Sequence, residues 1–195
     1  MDSHYTTTVP SSFQSMVESE MQSGERIVWM DQPIGARLAR SAWPIVLFGL
    51  PWTAFAVFWM WGATWGTSQT ESAGPFKFFP LFGLPFVLIG VGMLSSPYWL
   101  LRGAKRSVYV LTDRRAILFR ANWRGSLNIR SFNPDQLTTI QRTQHKDGTG
   151  DVVFSQDFRR DNDGHRVSSN IGFLAIRDVK SVEEMVIALA KKRVD

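Results

Sequence analysis

Hydrophobic and polar positions fall into three regimes along the chain. Through residue 40 apolar positions are sparse, but Phe13, Met16, Val17 and Met21 recur at helical spacing behind Ser11 and Ser12, with Gly24 as a stop. Residues 1–23 therefore read as a disordered lead or a short amphipathic helix. Glu25 to Trp29 reads as extended and ends at Gln32-Pro33, inside a pre-membrane segment over residues 24–41. Then polarity stops: residues 41–70 and 78–101 carry no charged side chain. From residue 107 the period changes from helix to strand.

As helices, the two uncharged runs would reach roughly 45 and 36 Å, against a bilayer hydrocarbon core of about 30 Å. Soluble core helices rarely run beyond ~20 residues without a charge, and the first run follows too long a polar lead for a cleaved signal peptide. The pattern predicts two transmembrane helices, 42–63 and 77–101, joined by a short extracytoplasmic loop over 64–76. Six of the eight tryptophans lie between residues 43 and 99, and most mark the ends of the runs, where indole prefers the headgroup boundary; Trp52, near mid-helix, is the exception. Arg37 and Arg40 precede the first span and Arg102, Lys105 and Arg106 follow the second, while the loop has no cation but nearby Lys77. The positive-inside rule then puts both termini in the cytoplasm. The absence of cysteine fits a reducing compartment.

In the third regime Ser107–Thr112 and Ala116–Arg120 are β-rich and flank a turn at Asp113-Arg114-Arg115. Strands are also expected at 126–132, 137–142, 151–155 and 172–176, with Asp147-Gly-Thr-Gly150 as a hairpin turn. Ser181 and Glu184 have the spacing of a capping box for a closing helix, with Val182, Met185, Val186 and Leu189 as its apolar stripe. Several antiparallel strands followed by one amphipathic helix predict an α+β cytoplasmic domain over 102–195: a bent sheet or small barrel capped by that helix.

Tyr109-Val-Leu-Thr-Asp-Arg-Arg115, the Gly150–Phe154 strand and the Gly172–Ile176 strand with its following helix resemble the bacterial pleckstrin-homology-like domain of small membrane proteins. Gly24-Glu-Arg-Ile-Val-Trp29 with Gln32-Pro33 is similar to the segment preceding the membrane hairpin in such proteins. The resemblance implies a strongly bent sheet of seven strands with a C-terminal helix, in the bacterial inner membrane. It bears on the fold more than on the function.

The pentapeptide Leu-Phe-Gly-Leu-Pro occurs at 47–51 and again at 81–85. In antiparallel helices the two copies sit at opposite depths, so Gly49 is expected level with Gly90 or Gly92, and Gly83 level with Thr53 to Ala56. Gly49, Ala56, Gly83 and Gly90 would form a seam of close backbone approach, with Pro51 and Pro85 kinking each helix.

Chemistry is sparse. His4, His145 and His165 have no metal-ligand spacing, and no nucleophile, phosphate-loop or dinucleotide motif occurs. Arg159-Arg-Asp-Asn-Asp-Gly164 has the look of a calcium loop, but arginine stands at the first ligand position and Asn170 where a bidentate glutamate is needed. No enzyme, cofactor or metal is expected, and basic residues without interleaved aromatics do not fit nucleic acid. From Arg102 onward Lys and Arg number 18 against 11 Asp and Glu. Arg102, Lys105, Arg106, Arg114 and Arg115, nearest the membrane in sequence, form the candidate contact surface for anionic phospholipid, each cation contributing about 1 kcal/mol there. Two functions remain: a non-enzymatic adaptor or scaffold that binds a protein partner or another copy of itself, and a sensor of anionic lipid.

Overall fold

The computed structural model describes residues 4–5, 9–69, 74–121, 126–137, 139–160 and 166–192. Asp161 to His165, with most of the calcium-like stretch, lie outside them. The chain forms two compact units, one built from Met1–Gly35 together with Arg102–Asp195, the other from Ala36–Leu101. The domain expected over 102–195 therefore also includes the chain up to Gly35, which takes in most of the segments expected to precede the membrane.

The first unit is α+β. Its larger sheet runs in the order β1 (His4–Tyr5), β2 (Ile27–Asp31), β3 (Ser107–Thr112), β4 (Ala116–Ala121), β5 (Leu127–Phe132), antiparallel except for the short β1–β2 pair. The smaller sheet is β6 (Gln141–Gln144), β7 (Gly150–Arg160) and β8 (Arg166–Ile176), again antiparallel. Strand alternation gives the larger sheet two buried faces. Val108, Val110, Ile117 and Phe119 lie on one, packed with Val17 of α1 (Ser11–Glu20). Trp29, Tyr109, Leu111, Ala116 and Phe132 lie on the other, against Phe154 and Phe173 of the smaller sheet and the stripe of α6 (Val179–Lys191).

Burial on both faces explains why β3 is buried at every position rather than alternating. Ile34 N–H donates to Ala175 O at 2.7 Å, tying the chain after β2 to β8.

Several expectations move. The amphipathic helix ends at Glu20, and Gly24 (φ +75°) instead makes the turn into β2. The strand expected over 137–142 shortens to β6, because Pro134 opens a 3-10 turn over Pro134–Gln136 closed by a reciprocal Asn133–Gln136 capping box. β7 and β8 run 11 residues each, well past the expected segments. α6 begins at Val179, ahead of the Ser181–Glu184 box, since Val179 already belongs to the buried stripe with Val182, Val186 and Leu189. Ser181 Oγ donates to Asp178 Oδ2 at 2.7 Å, and Val179 N–H, a helix-start donor, reaches Gly148 O at 3.2 Å.

In the second unit α2 (Gly35–Arg40), which begins at the junction between the units, leads to α3 (Trp43–Ser68), 26 residues or about 39 Å long. It is long and apolar enough to cross a membrane, and only 11% of its most apolar window is buried, the inverse of a soluble core helix. The second expected span is not one helix. A 3-10 segment, Gly74–Gly83, passes into α4 (Leu84–Leu94), then α5 (Ser96–Ala104), with a 44° bend between Phe78–Leu94 and Ser96–Ala104. Pro97 has no N–H for the carbonyl of Met93, and Ser96 Oγ takes that acceptor at 2.7 Å, so the break falls at Ser95. Taken as one span, this pair is also long enough to cross. Pro85 lies in the first turn of α4, where proline is tolerated, rather than at a kink inside a helix. Pro51 lies inside α3, which continues through it.

Candidate functional site

The hairpin Thr112-Asp-Arg-Arg115 is a junction for both ends of the first unit. Thr112 Oγ1 accepts from the N–H groups of Arg114 (3.2 Å) and Arg115 (2.9 Å), which shapes the turn, and donates to Glu25 Oε1 at 2.8 Å. Arg115 grips the same carboxylate with two parallel bonds, Nε to Oε1 at 2.9 Å and Nη2 to Oε2 at 3.0 Å. Nη2 also donates to Glu20 O at 2.8 Å and Nη1 to Ser131 Oγ at 3.3 Å. One guanidinium thus joins the end of α1, the approach to β2 and strand β5. Arg26 and Asp113 exchange bonds across the same gap, and Lys192 Nζ reaches Asp113 O at 3.2 Å.

Burial pushes the Glu25 carboxyl up, but hydrogen bonds from Arg115, Gln22 N–H and Thr112 outweigh it and hold the group at about 2. The same carboxylate raises the Arg115 guanidinium above its ordinary value. A second long-range pair joins β2 to the approach of α6: Arg177 Nη1 lies 2.9 Å from Asp31 Oδ1, and Asp31 is 1% exposed. Burial pushes Asp31 up despite bonds from Gln32 N–H and Arg177. Sequence patterning offers no sign of either pair, because partners 90 and 146 positions apart leave no local trace.

Of the five cations expected at a lipid surface, Arg102, Lys105 and Arg114 are exposed and Arg106 is half-buried. Arg115 is engaged inward by Glu25. His145, exposed, forms part of the β6–β7 turn, accepting from Gly148 N–H at 3.0 Å and donating to Thr149 O at 2.9 Å. Among the described residues no group of three His, Cys, Asp or Glu is placed to hold a metal.

In the second unit Gly49, Ala56, Gly83 and Gly90 are all buried. The register, however, is shifted from expectation, by one position at the least for Gly49 and by about four for Gly83 and Gly90. A Cβ on Gly49 would meet Met93 Cβ at 2.9 Å, one on Gly90 would strike Thr53, and one on Gly83 would strike Met60. The shift follows from α3 continuing to Ser68, so that the chain turns back later than expected. Trp52, anomalous as a boundary residue, donates its indole N–H to Phe86 O at 3.1 Å, with its ring tilted against that of Phe86. An apolar cleft of about 250 Å³ opens beside it, walled by Phe55, Trp59 and Phe82 over Ala56 and Gly83.

Two further concavities belong to the first unit. A groove of about 810 Å³ runs beside Met21, Ile27, Met185 and Leu189, rimmed by Glu18, Arg26 and Lys192. A smaller cleft of about 210 Å³ lies between the larger sheet and β8, with Arg120, Asn128, Arg130 and Asn170 among its lining. None of these four figures in the expected sites. The signal was present in the alternation, since Ala116, Leu118 and Arg120 share one face of β4. Compared with family models, with curated proteins and with solved structures, the chain matches none.

Proposed function

We propose that the chain is a non-enzymatic, membrane-anchored adaptor whose α+β unit, of pleckstrin-homology-like build, binds a protein partner along the edge of β5 at the cytoplasmic face of a bacterial inner membrane. The observation that carries this reading is the edge itself. β5 pairs with β4 on one side and, among the described residues, with no strand on the other. An unpaired row of backbone donors and acceptors is the surface that an added peptide strand uses, and Leu127, 39% exposed, offers an apolar side chain beside it.

The anchor is supported by the two apolar segments. The topology is supported by β2 pairing with β3: the chain on either side of those segments must share a compartment, so the crossings are even in number. The pleckstrin-homology-like reading is supported by four plus three antiparallel strands and a C-terminal helix packed on their common core.

A photo-crosslinking residue at position 127, carried by the full chain in native membranes, should yield one discrete protein adduct. The same residue at position 146, on the β6–β7 turn, should yield none. A monodisperse monomer without an adduct at 127 would overturn the reading.

A further inference from the structure

The inner face of the larger sheet changes character along its strands. At one end Leu111, Ala116 and Phe132 close on the core. Two and four residues along, the same face carries Tyr109, Leu118 and Arg130, then Ser107, Arg120 and Asn128; Leu118 pairs with Arg130 and Arg120 with Asn128. Cross-strand partners share a face, so both guanidiniums lie on the core side of β4 and β5 rather than on the side that packs against α1. There the two sheets part, and the cleft of about 210 Å³ has polar and apolar walls, with Asn170 contributed from β8.

Arg130 lies over the Phe132 ring, its Cζ 5.5 Å from the centroid, which props that guanidinium against the apolar wall. Tyr109 is 5% exposed, and its ring, 5.4 Å from that of Phe173, forms the floor.

We propose that this cleft binds a phosphate-class oxyanion, held by the guanidiniums of Arg120 and Arg130 and the carboxamides of Asn128 and Asn170. Two forked donors with two neutral amides match a tetrahedral oxyanion, and guanidinium–phosphate bonds are among the stronger ones available to a protein. The space accommodates phosphate itself or the head of a phospholipid. Inward-facing charge also blunts an edge strand against aggregation, and that role alone would need no ligand. The inference does not rest on the adaptor reading, because it concerns the inner face of the sheet and not the free backbone edge of β5.

The test uses the full chain in dodecyl maltoside micelles and calorimetric titration at constant ionic strength. One arm adds inorganic phosphate in place of chloride; the other adds dihexanoyl phosphatidylglycerol below its micellar concentration. At least one probe should saturate, and R120Q and R130Q should each weaken it at least tenfold, while R114Q should change it less than twofold. N128D should also weaken it tenfold; it adds a carboxylate without removing either guanidinium, so it decides the matter if an arginine variant fails to fold. Tighter binding of phosphatidylglycerol than of phosphate assigns the source to a lipid head group, and the reverse order assigns it to a soluble phosphate. Failure of both probes to saturate, or parent-like binding by N128D, would overturn the proposal.

Discussion

Glu25 accepts from Arg115, Thr112 and Gln22 with its carboxylate withdrawn from solvent, and its proton affinity reports on the whole junction. The carboxyl sits at about 2 in the folded chain against an ordinary 4.5. A depressed acid stabilises the fold above its unfolded value and loses that contribution as pH falls through the folded one. The stability supplied here should therefore be complete above pH 4.5 and vanish toward pH 2. Glu25→Gln should lower stability at neutral pH by about 2 kcal/mol, within the range for hydrogen bonds to a charged group. It should also flatten the acid limb of a melting-temperature profile in that window. An acid limb parallel to the parent's would show that the carboxylate is not held as described. The same contacts explain why Arg115 differs from Arg114 beside it: one is a structural tie, the other an exposed cation.

In the hairpin, glycine is required only where another helix approaches. Gly90 faces Thr53 without room for a Cβ, whereas Gly92, two positions on, has open space around it. Gly90→Leu should lower the detergent melting temperature of the full chain by several degrees, and Gly92→Leu should leave it within about one. Equal effects would mean that the seam does not pack as described. Much at this scale was legible in the sequence, because the signals are local: β3 and β4 with their turn, the closing helix and the small-residue seam all appear in periodicity. What escaped depends on partners. The register across the seam is set by where the chain turns back, the break at Ser95 by Pro97 and serine hydroxyls competing for carbonyls, and the start of α6 by burial of Val179. The Arg120–Arg130 cleft was half legible, since alternation fixes the face but not the opening between sheets.

At the scale of the molecule, the unit that carries both candidate surfaces is discontinuous. β2 supplies Trp29 to the core, where its ring lies 5.1 Å from that of Phe173, and α1 covers the opposite face of the sheet. Residues 103–195 alone lack both, leaving β3 as a raw edge with a gap beneath it. That fragment should be molten or insoluble by near-UV circular dichroism, whereas Met1–Gly35 joined by a flexible linker of ~15 residues to Arg102–Asp195 should fold cooperatively; a well-folded 103–195 fragment would contradict this. The discontinuity also has a bearing on biogenesis. A ribosome delivers β2 about 75 residues before its partner strand β3, and the apolar segments emerge between them. On the proposed two-span topology the early strand waits, unpaired, until both segments have been handled by the membrane. A chain that integrated only one of them would strand β2 and β3 on opposite sides of the bilayer, and its unfinished sheet would mark it for proteolysis. On that topology, completion of the domain would act as a proofreading step on the chain's own insertion.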